Sequence, residues 1–352
     1  MEGTTRVRAA ILGASGFGGG ELIRLLAGHP AVEVTYLGAH GSAGKTLAEA
    51  QPHLASLPIA GETLLEIVPR DVVAAADVAF CSLPHGTSAE LAPALLDAGV
   101  RVIDLAGDFR LPASSYPDWY GFVHPATGWL GKAVYGLPEL FGEQLPGAQL
   151  VANPGCFPTP VILGIAPLLS TGLVEAGPIH VDGKTGLSGA GRAQSDATLF
   201  TSTEESVRTY RLPRHQHTPE MERGLELATG FTPPVVFVPH LVPAVRGVVT
   251  TCYAPLAAGV TTEALVACLA ETYAGRRFVR VLPPGQMVDS KRTRATNVVE
   301  LQAVADPRTG TAIVVGALDN LVKGAAGQAI QNLNLVLGLD EDLALPTLAV
   351  YP

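Results

Sequence analysis

Apolar residues in the first part of the chain come in short runs separated by stretches of helical spacing. Residues 7–12 are mostly apolar and read as a strand. A glycine-rich break follows, then Leu22, Ile23, Leu25 and Leu26 on one helical face, and then a second strand at 32–37. Further strands are predicted at 64–68, 78–82, 102–105 and 148–152, with a helical pattern over 88–98. Strands alternating with helices predict a doubly wound parallel sheet. The strand at 148–152 is expected to close that sheet and to deliver residue 156 to its C-terminal edge, where such sheets bind ligands.

Beyond residue 156 the pattern changes. The run 161–169 is apolar enough for a buried helix, and Pro158 and Pro160 are tolerable in its first turn, where N–H groups lack intrahelical partners. Strands at 179–184, 235–238, 248–253, 278–282, 296–301 and 313–317 crowd around one helix at 262–273, which predicts a mixed or antiparallel sheet. Thr218 reads as the N-cap of another helix, with Pro219 as its first residue and Glu220 and Glu222 in its first turn. A last helix over 320–337 begins with small residues and is expected to pack back on the first domain.

Composition narrows the partners. Charged residues are 16 % and hydrophobic residues 47 % of the chain, against about 25 % charged in an average globular protein. Much surface is therefore expected to be buried within the fold or between subunits, as in a homodimer or homotetramer. The net charge of −9 disfavours nucleic acid or an anionic membrane as the main partner. Four cysteines without a C-x-x-C pair or zinc-like spacing point to a reducing compartment, without disulfides or a structural metal. The N-terminus does not read as a secretory signal, no apolar run approaches about 18 residues, and a cytoplasmic location is expected.

Candidate chemistry falls at the joints of this pattern. Between the first strand and helix, Gly13, Ser15, Gly16, Phe17 and Gly18 lie in a G-x-x-G-x-x-G turn, a variant of the dinucleotide turn whose glycines admit a pyrophosphate at a helix N-terminus. After the second strand there is no Asp or Glu for a ribose 2′-OH; Ser42 and Lys45 suit a 2′-phosphate, which favours NADP. Cys156 stands on a Pro-Gly corner at a predicted helix start, a position that stabilises a thiolate. Arg110 and Arg246 are candidate anion clamps, with an internal pair to Asp104 or Asp108 the competing role for Arg110. His215 and His217 are expected just outside the helix at Thr218, where an imidazole exchanges protons near neutral pH. No third ligand suggests a metal site with them. The loop Thr185 to Arg192 is glycine-rich but is not followed by an apolar helix face, so it reads as a loop bordering the site.

Several ordered motifs together resemble the N-acetyl-γ-glutamyl-phosphate reductases, within the aspartate-semialdehyde dehydrogenase-like family. They are Gly13 to Gly19, Leu83-Pro84-His85-Gly86, Gly107-Asp108-Phe109-Arg110, Tyr135 to Glu139, Asn153-Pro154-Gly155-Cys156, Ser188 to Arg192, His215 to Glu220 and Asp319 to Gly324. The resemblance runs from about residue 7 to the C-terminus; Phe17 and Gly18 stand where the family often has Tyr and Ala, which changes little for phosphate contact. It implies NADPH-dependent reduction of N-acetyl-L-glutamyl 5-phosphate to the 5-semialdehyde with release of phosphate, in arginine biosynthesis. Cys156 would carry the acyl group as a thioester, with His217, or else His215, moving the proton. It also implies cofactor contacts at Ser188, Gly189 and Asn320 and substrate contacts at Arg110, Arg246 and Glu220.

The fold class expected is thus α/β: a Rossmann-type NADP-binding domain, 1–153, rejoined by 319–352, and an α+β substrate and oligomerisation domain, 154–318. Two other functions share these features. One is a reductase for carrier-protein-linked aminoadipyl phosphate in lysine biosynthesis, against which Phe157-Pro158-Thr159 and Gly191-Arg192 count. The other is a noncatalytic NADP-binding redox sensor, against which the His-x-His segment and the arginines count.

Overall fold

The computed structural model describes residues 6–193, 195, 196 and 198–351. The first five residues, read above as no secretory signal, lie outside the described residues. The chain divides into two units: one runs to Pro154 and takes in Ala325–Leu345, the other spans Gly155–Gly324 and resumes at Pro346. The return to the first unit thus begins at Ala325 rather than at 319, and the residues from Pro346 onward belong with the second.

The first unit holds a six-stranded sheet of β1 (Val7–Leu12), β2 (Val32–Gly38), β3 (Val78–Cys81), β4 (Arg101–Asp104), β5 (Val134–Tyr135) and β6 (Leu150–Ala152). The order is β2-β1-β3-β4-β6-β5, and every pair is parallel. β1, β3, β4 and β6 are buried on both faces over most of their length, as continuous apolar runs require, whereas the edge strand β2 has exposed positions. β6 does not close the sheet as expected: the two residues of β5 pair outside it. The strand expected at 64–68 is absent. Leu65 makes a single bridge to Gly38, and Pro69 then opens the helix Pro69–Ala75, so the apolar run ends before a ladder can form.

The second unit holds a seven-stranded mixed sheet of β7 (Ile179–Thr185), β8 (Arg208–Thr209), β9 (Val235–Leu241), β10 (Val248–Pro255), β11 (Val279–Val281), β12 (Val299–Asp306) and β13 (Thr311–Leu318), in the order β11-β12-β13-β10-β7-β9-β8. β7, β9, β10 and β13 alternate buried and partly exposed positions, the period of a sheet covered on one face. The helix Pro158–Ser170, buried along nearly its whole length, packs against β12, β13 and β10 on the covered face. Pro167 inside it has no N–H for Leu163 O, and the Tyr273 hydroxyl donates to that carbonyl instead, at 2.6 Å. Among the described residues no helix is long and apolar enough to cross a membrane.

Candidate active site

In the first unit, the glycine turn after β1 is shaped by close backbone contacts. Gly13 has φ +98°, and a Cβ on it would lie 2.1 Å from Ser82 O, just past the end of β3. A Cβ on Gly19 would lie 2.2 Å from Gly13 O, so only glycine lets the helix Phe17–Leu26 begin this close to the strand end. The N–H groups of Gly13 and Ala14 both donate to Gly38 O at 2.9 Å. The turn therefore lies where the chain crosses from β2 to β3 on the other side of β1, the switch point at which doubly wound sheets bind ligands. Gly13, Ser15, Gly16 and Gly18 are half-buried there, and Phe17 is 39 % exposed. Ser42 is half-buried in the loop after β2, with Lys45 exposed beside it.

Two buried carboxylates fix the loops after β3 and β4. Asp104 accepts the N–H groups of Ala106, Gly107 and Asp108 at 3.0, 3.1 and 2.9 Å. Asp108 accepts those of Gly86 and Ala89, which ties the start of the helix Thr87–Asp97 to the loop after β4. Burial, then the nearby Asp104, push the Asp108 carboxyl up to about 7, against the pull of these N–H groups. Arg110, expected as an anion clamp, is 7 % exposed and donates through Nε to Asn153 O at 2.8 Å and through Nη2 to Leu105 O at 3.1 Å. The structure thus places it as a buried strut under Asn153, three residues before Cys156 in the chain.

In the second unit, Cys156 occupies the turn before the helix Pro158–Ser170 and is half-buried and free of disulfides. The preceding residue is held from two sides. Gly155 N–H donates to Glu220 Oε1 at 2.7 Å, and Gly155 O accepts from Thr159 N–H and Oγ1 at 3.2 and 2.9 Å. A Cβ on Gly155 would lie 2.4 Å from His217 Nε2, so the imidazole sits against the corner only because residue 155 is glycine. A Cβ on Gly324 would likewise lie 2.7 Å from Cys156 Cβ. The helix start contributes fewer donors than the sequence suggests. Pro158 and Pro160 have no N–H, and that of Thr159 is taken by Gly155 O.

His215 and His217 come together, with ring centroids 4.7 Å apart and Phe157 edge-on to both. The helix begins at His217, with Gln216 as N-cap, rather than after Thr218. Gln216 is already helical, and His215 Nδ1 accepts the His217 N–H at 3.1 Å, so an imidazole fills the role expected of the Thr218 hydroxyl. An accepting Nδ1 makes His215 the neutral tautomer protonated on Nε2. Buried and committed to this bond, His215 is less suited to proton exchange than the half-buried His217. Glu220 is fully buried, and its carboxylate accepts the Gly155 N–H.

Tyr210, which sequence patterning did not single out, packs edge-on to His215 at 5.3 Å. Burial raises its hydroxyl pKa, and so does the charge of Cys156, which keeps the phenol protonated and places the thiol within its electrostatic reach.

Three distant stretches meet elsewhere in this unit. Gly186, Leu187 and Ser188 donate backbone N–H bonds to Gly247 O, Ala244 O and Val245 O. Asn320 Oδ1 accepts the Gly247 N–H at 2.7 Å, and its Nδ2 donates to Ser188 Oγ at 2.9 Å. Arg246 Nη1 lies 3.5 Å from buried Asp319 Oδ2, and its side chain is about a quarter exposed. Ser188, Gly189, Arg246 and Asn320 thus form one cluster. Among the described residues, no group of three or more His, Cys, Asp or Glu could hold a metal ion.

Comparison with known proteins covers both units. Residues 8–148 match the family model described as semialdehyde dehydrogenase, NAD binding domain, and residues 156–320 that described as semialdehyde dehydrogenase, dimerisation domain. The chain is 45 % identical over 347 residues to an N-acetyl-gamma-glutamyl-phosphate reductase of Desulforamulus reducens, covering 98 % of this chain and 100 % of that one. It is 46 % identical over 353 residues to the enzyme of that name from Symbiobacterium thermophilum, covering 98 % and 99 %. In fold it is similar to aspartate semialdehyde dehydrogenase II of Vibrio cholerae complexed with ASA, with a TM-score of 0.71 at 19 % identity over 94 % of this chain and 98 % of that one. A further likeness is to aspartate semialdehyde dehydrogenase with NADP from Candida albicans, with a TM-score of 0.66 at 18 % identity and the same coverage. With a lone cysteine on a Pro-Gly corner, a dinucleotide turn and relatives matched over nearly their full length, the chain belongs to the N-acetyl-γ-glutamyl-phosphate reductase family.

Proposed function

We propose that this protein reduces N-acetyl-L-glutamyl 5-phosphate to N-acetyl-L-glutamate 5-semialdehyde, with NADPH as reductant and release of phosphate, in arginine biosynthesis. The observation that carries the reading is the corner at Gly155-Cys156, where a glycine admits the His217 imidazole beside a half-buried cysteine that is in no disulfide. The Cys156 thiolate attacks the acyl carbon, the bond from that carbon to the phosphate oxygen breaks, and a thioester remains on Sγ. His217 supplies the proton to the departing phosphate, and Glu220 keeps the corner in register by holding Gly155 N–H. Arg246, partly exposed on the loop fastened by Ser188 and Asn320, is the proposed partner of the substrate's carboxylate or phosphate. Arg110 serves the same reaction through Asn153 O.

The turn after β1 fits a dinucleotide, because the places where Cβ atoms would stand at Gly13 and Gly19 are filled by backbone and the outer side of the turn is open. Gly13, Ser15, Gly16, Phe17 and Gly18 would hold the pyrophosphate and Ser42 the 2′-phosphate, which makes NADP the proposed form. Ser188, Gly189 and Asn320 are proposed cofactor contacts on the strength of the resemblance. Bound there, a reduced nicotinamide would supply the hydride to the thioester carbon, and breaking of the bond from that carbon to Sγ frees the semialdehyde and restores the Cys156 thiolate.

The half-open face of the second unit's sheet, with Val236 50 % and Tyr253 41 % exposed, supports a homo-oligomer closed by a second copy over that face. A cytoplasmic setting is the proposed one, and four cysteines outside any disulfide agree with it. The activity is tested by following formation of reduced nucleotide from N-acetylglutamate semialdehyde, phosphate and NADP. Phosphate-dependent reduction of NADP well above that of NAD is expected; no turnover with either nucleotide would overturn the reading.

A further inference from the structure

Gln51 lies beyond the dinucleotide turn in sequence, in a stretch that no motif marks, yet it is buried directly beneath that turn. It directly precedes Pro52, which opens the short 3-10 helix Pro52–Leu54. From there its side-chain Nε2 donates to Ala14 O at 3.0 Å and to Gly16 O at 2.8 Å. The space it uses is reserved for it, since a Cβ on Gly20 would lie 2.7 Å from Nε2.

The two carbonyls that Gln51 holds belong to the peptide units whose N–H groups are those of Ser15 and Phe17. In a trans peptide the C=O and N–H point in opposite directions. Drawing both carbonyls toward a buried amide therefore turns both N–H groups toward the other side of the turn. That is the side on which Ser15 is half-buried and Phe17 exposed. We infer that Gln51 is a positioning residue for dinucleotide binding: its amide fixes two alternate peptides of the Gly13–Gly18 turn so that their N–H groups face an anionic pyrophosphate.

The inference rests on the reading of this turn as a dinucleotide site, and the experiment separates the two. NADPH binding is titrated by fluorescence to wild type, Gln51→Met and Gln51→His, beside thermal melts, steady-state kinetics and the rate of Cys156 alkylation by iodoacetamide. Met keeps the side-chain volume and removes the donor; His restores a ring N–H. The expected result is a Kd and KM for NADPH raised about tenfold in Gln51→Met, the effect of roughly one lost hydrogen bond, with substantial recovery in Gln51→His. kcat at saturating NADPH should stay within about twofold, and the alkylation rate should not change. Equal NADPH affinity in wild type and Gln51→Met would overturn the inference and leave the site standing. So would an affinity loss that Gln51→His shares and that follows a fall in melting temperature, since that is collapse of packing. Wild type that binds no NADPH would overturn both.

Discussion

The glycine turn after β1 and the cysteine corner after β6 are both sharp turns from a parallel strand into a helix, yet they are held in different proportions by backbone and side chain. The first is closed by backbone against backbone, with one side chain, the Gln51 amide, beneath it. Gly13 meets Ser82 O, Gly19 meets Gly13 O, and two N–H groups share Gly38 O. The second is a side-chain device: the Glu220 carboxylate, 65 residues away in the chain, holds Gly155, and the His217 imidazole lies against it. A turn that presents backbone N–H groups to an anion is specified largely by which residues lack a side chain, and local spacing records that part, though not the Gln51 amide beneath it. A nucleophile's surroundings are specified by side chains arriving from elsewhere, and local spacing records only the nucleophile.

The contrast can be broken first at the cysteine corner. His217→Ala should lower kcat by about 10²- to 10⁴-fold, the range of general acid–base catalysis, and leave NADPH affinity where it was. His215→Ala should cost less, since His215 is neutral and occupied with the His217 N–H. Near-full turnover in His217→Ala, measured under saturating substrate, would remove that residue as the proton carrier.

At the glycine turn, Gly13→Ala should act through the backbone. At φ +98° and with Ser82 O in its way, the added methyl should destabilise the protein by about 1–3 kcal/mol and weaken NADPH binding in parallel, as read from urea unfolding and nucleotide titration. An unaltered unfolding midpoint would mean that the close approach to Ser82 is not what fixes the turn.

The smallest effect concerns pH. The Asp108 carboxyl titrates near 7 in the folded protein, above its ordinary value, so between about pH 4 and 7 the folded state keeps a proton that the unfolded state has lost. This group's stabilising contribution is complete below that window and is lost as pH rises through about 7. Melting temperatures of the wild type should therefore carry a downward component across this range that Asp108→Asn lacks; parallel pH profiles would contradict it.

How much was legible in the sequence follows the same division. The parallel sheet, the mixed sheet and the glycine turn show in apolar periodicity and glycine spacing because each is set by local residues. The run at 64–68 is apolar enough for a strand, but its pairing ends at a single bridge to Gly38 before Pro69 intervenes, and the two residues of β5 are too few to carry a period. Glu220 reads as an ordinary first-turn acid of a helix; only the fold shows its carboxylate on Gly155. Tyr210 and Gln51 gave no signal, since a residue that acts by packing on an imidazole or by holding two carbonyls is marked by its partners and not by its neighbours in the chain.

The central claim is that Cys156 accepts the acyl group. Intact-protein and peptide mass spectrometry after mixing the enzyme with N-acetylglutamyl phosphate, without nucleotide, tests it most directly. An adduct of the N-acetylglutamyl mass on the peptide carrying Cys156, released by hydroxylamine and absent in Cys156→Ala, is predicted. An unmodified Cys156 in enzyme that still turns over with NADPH would contradict the account.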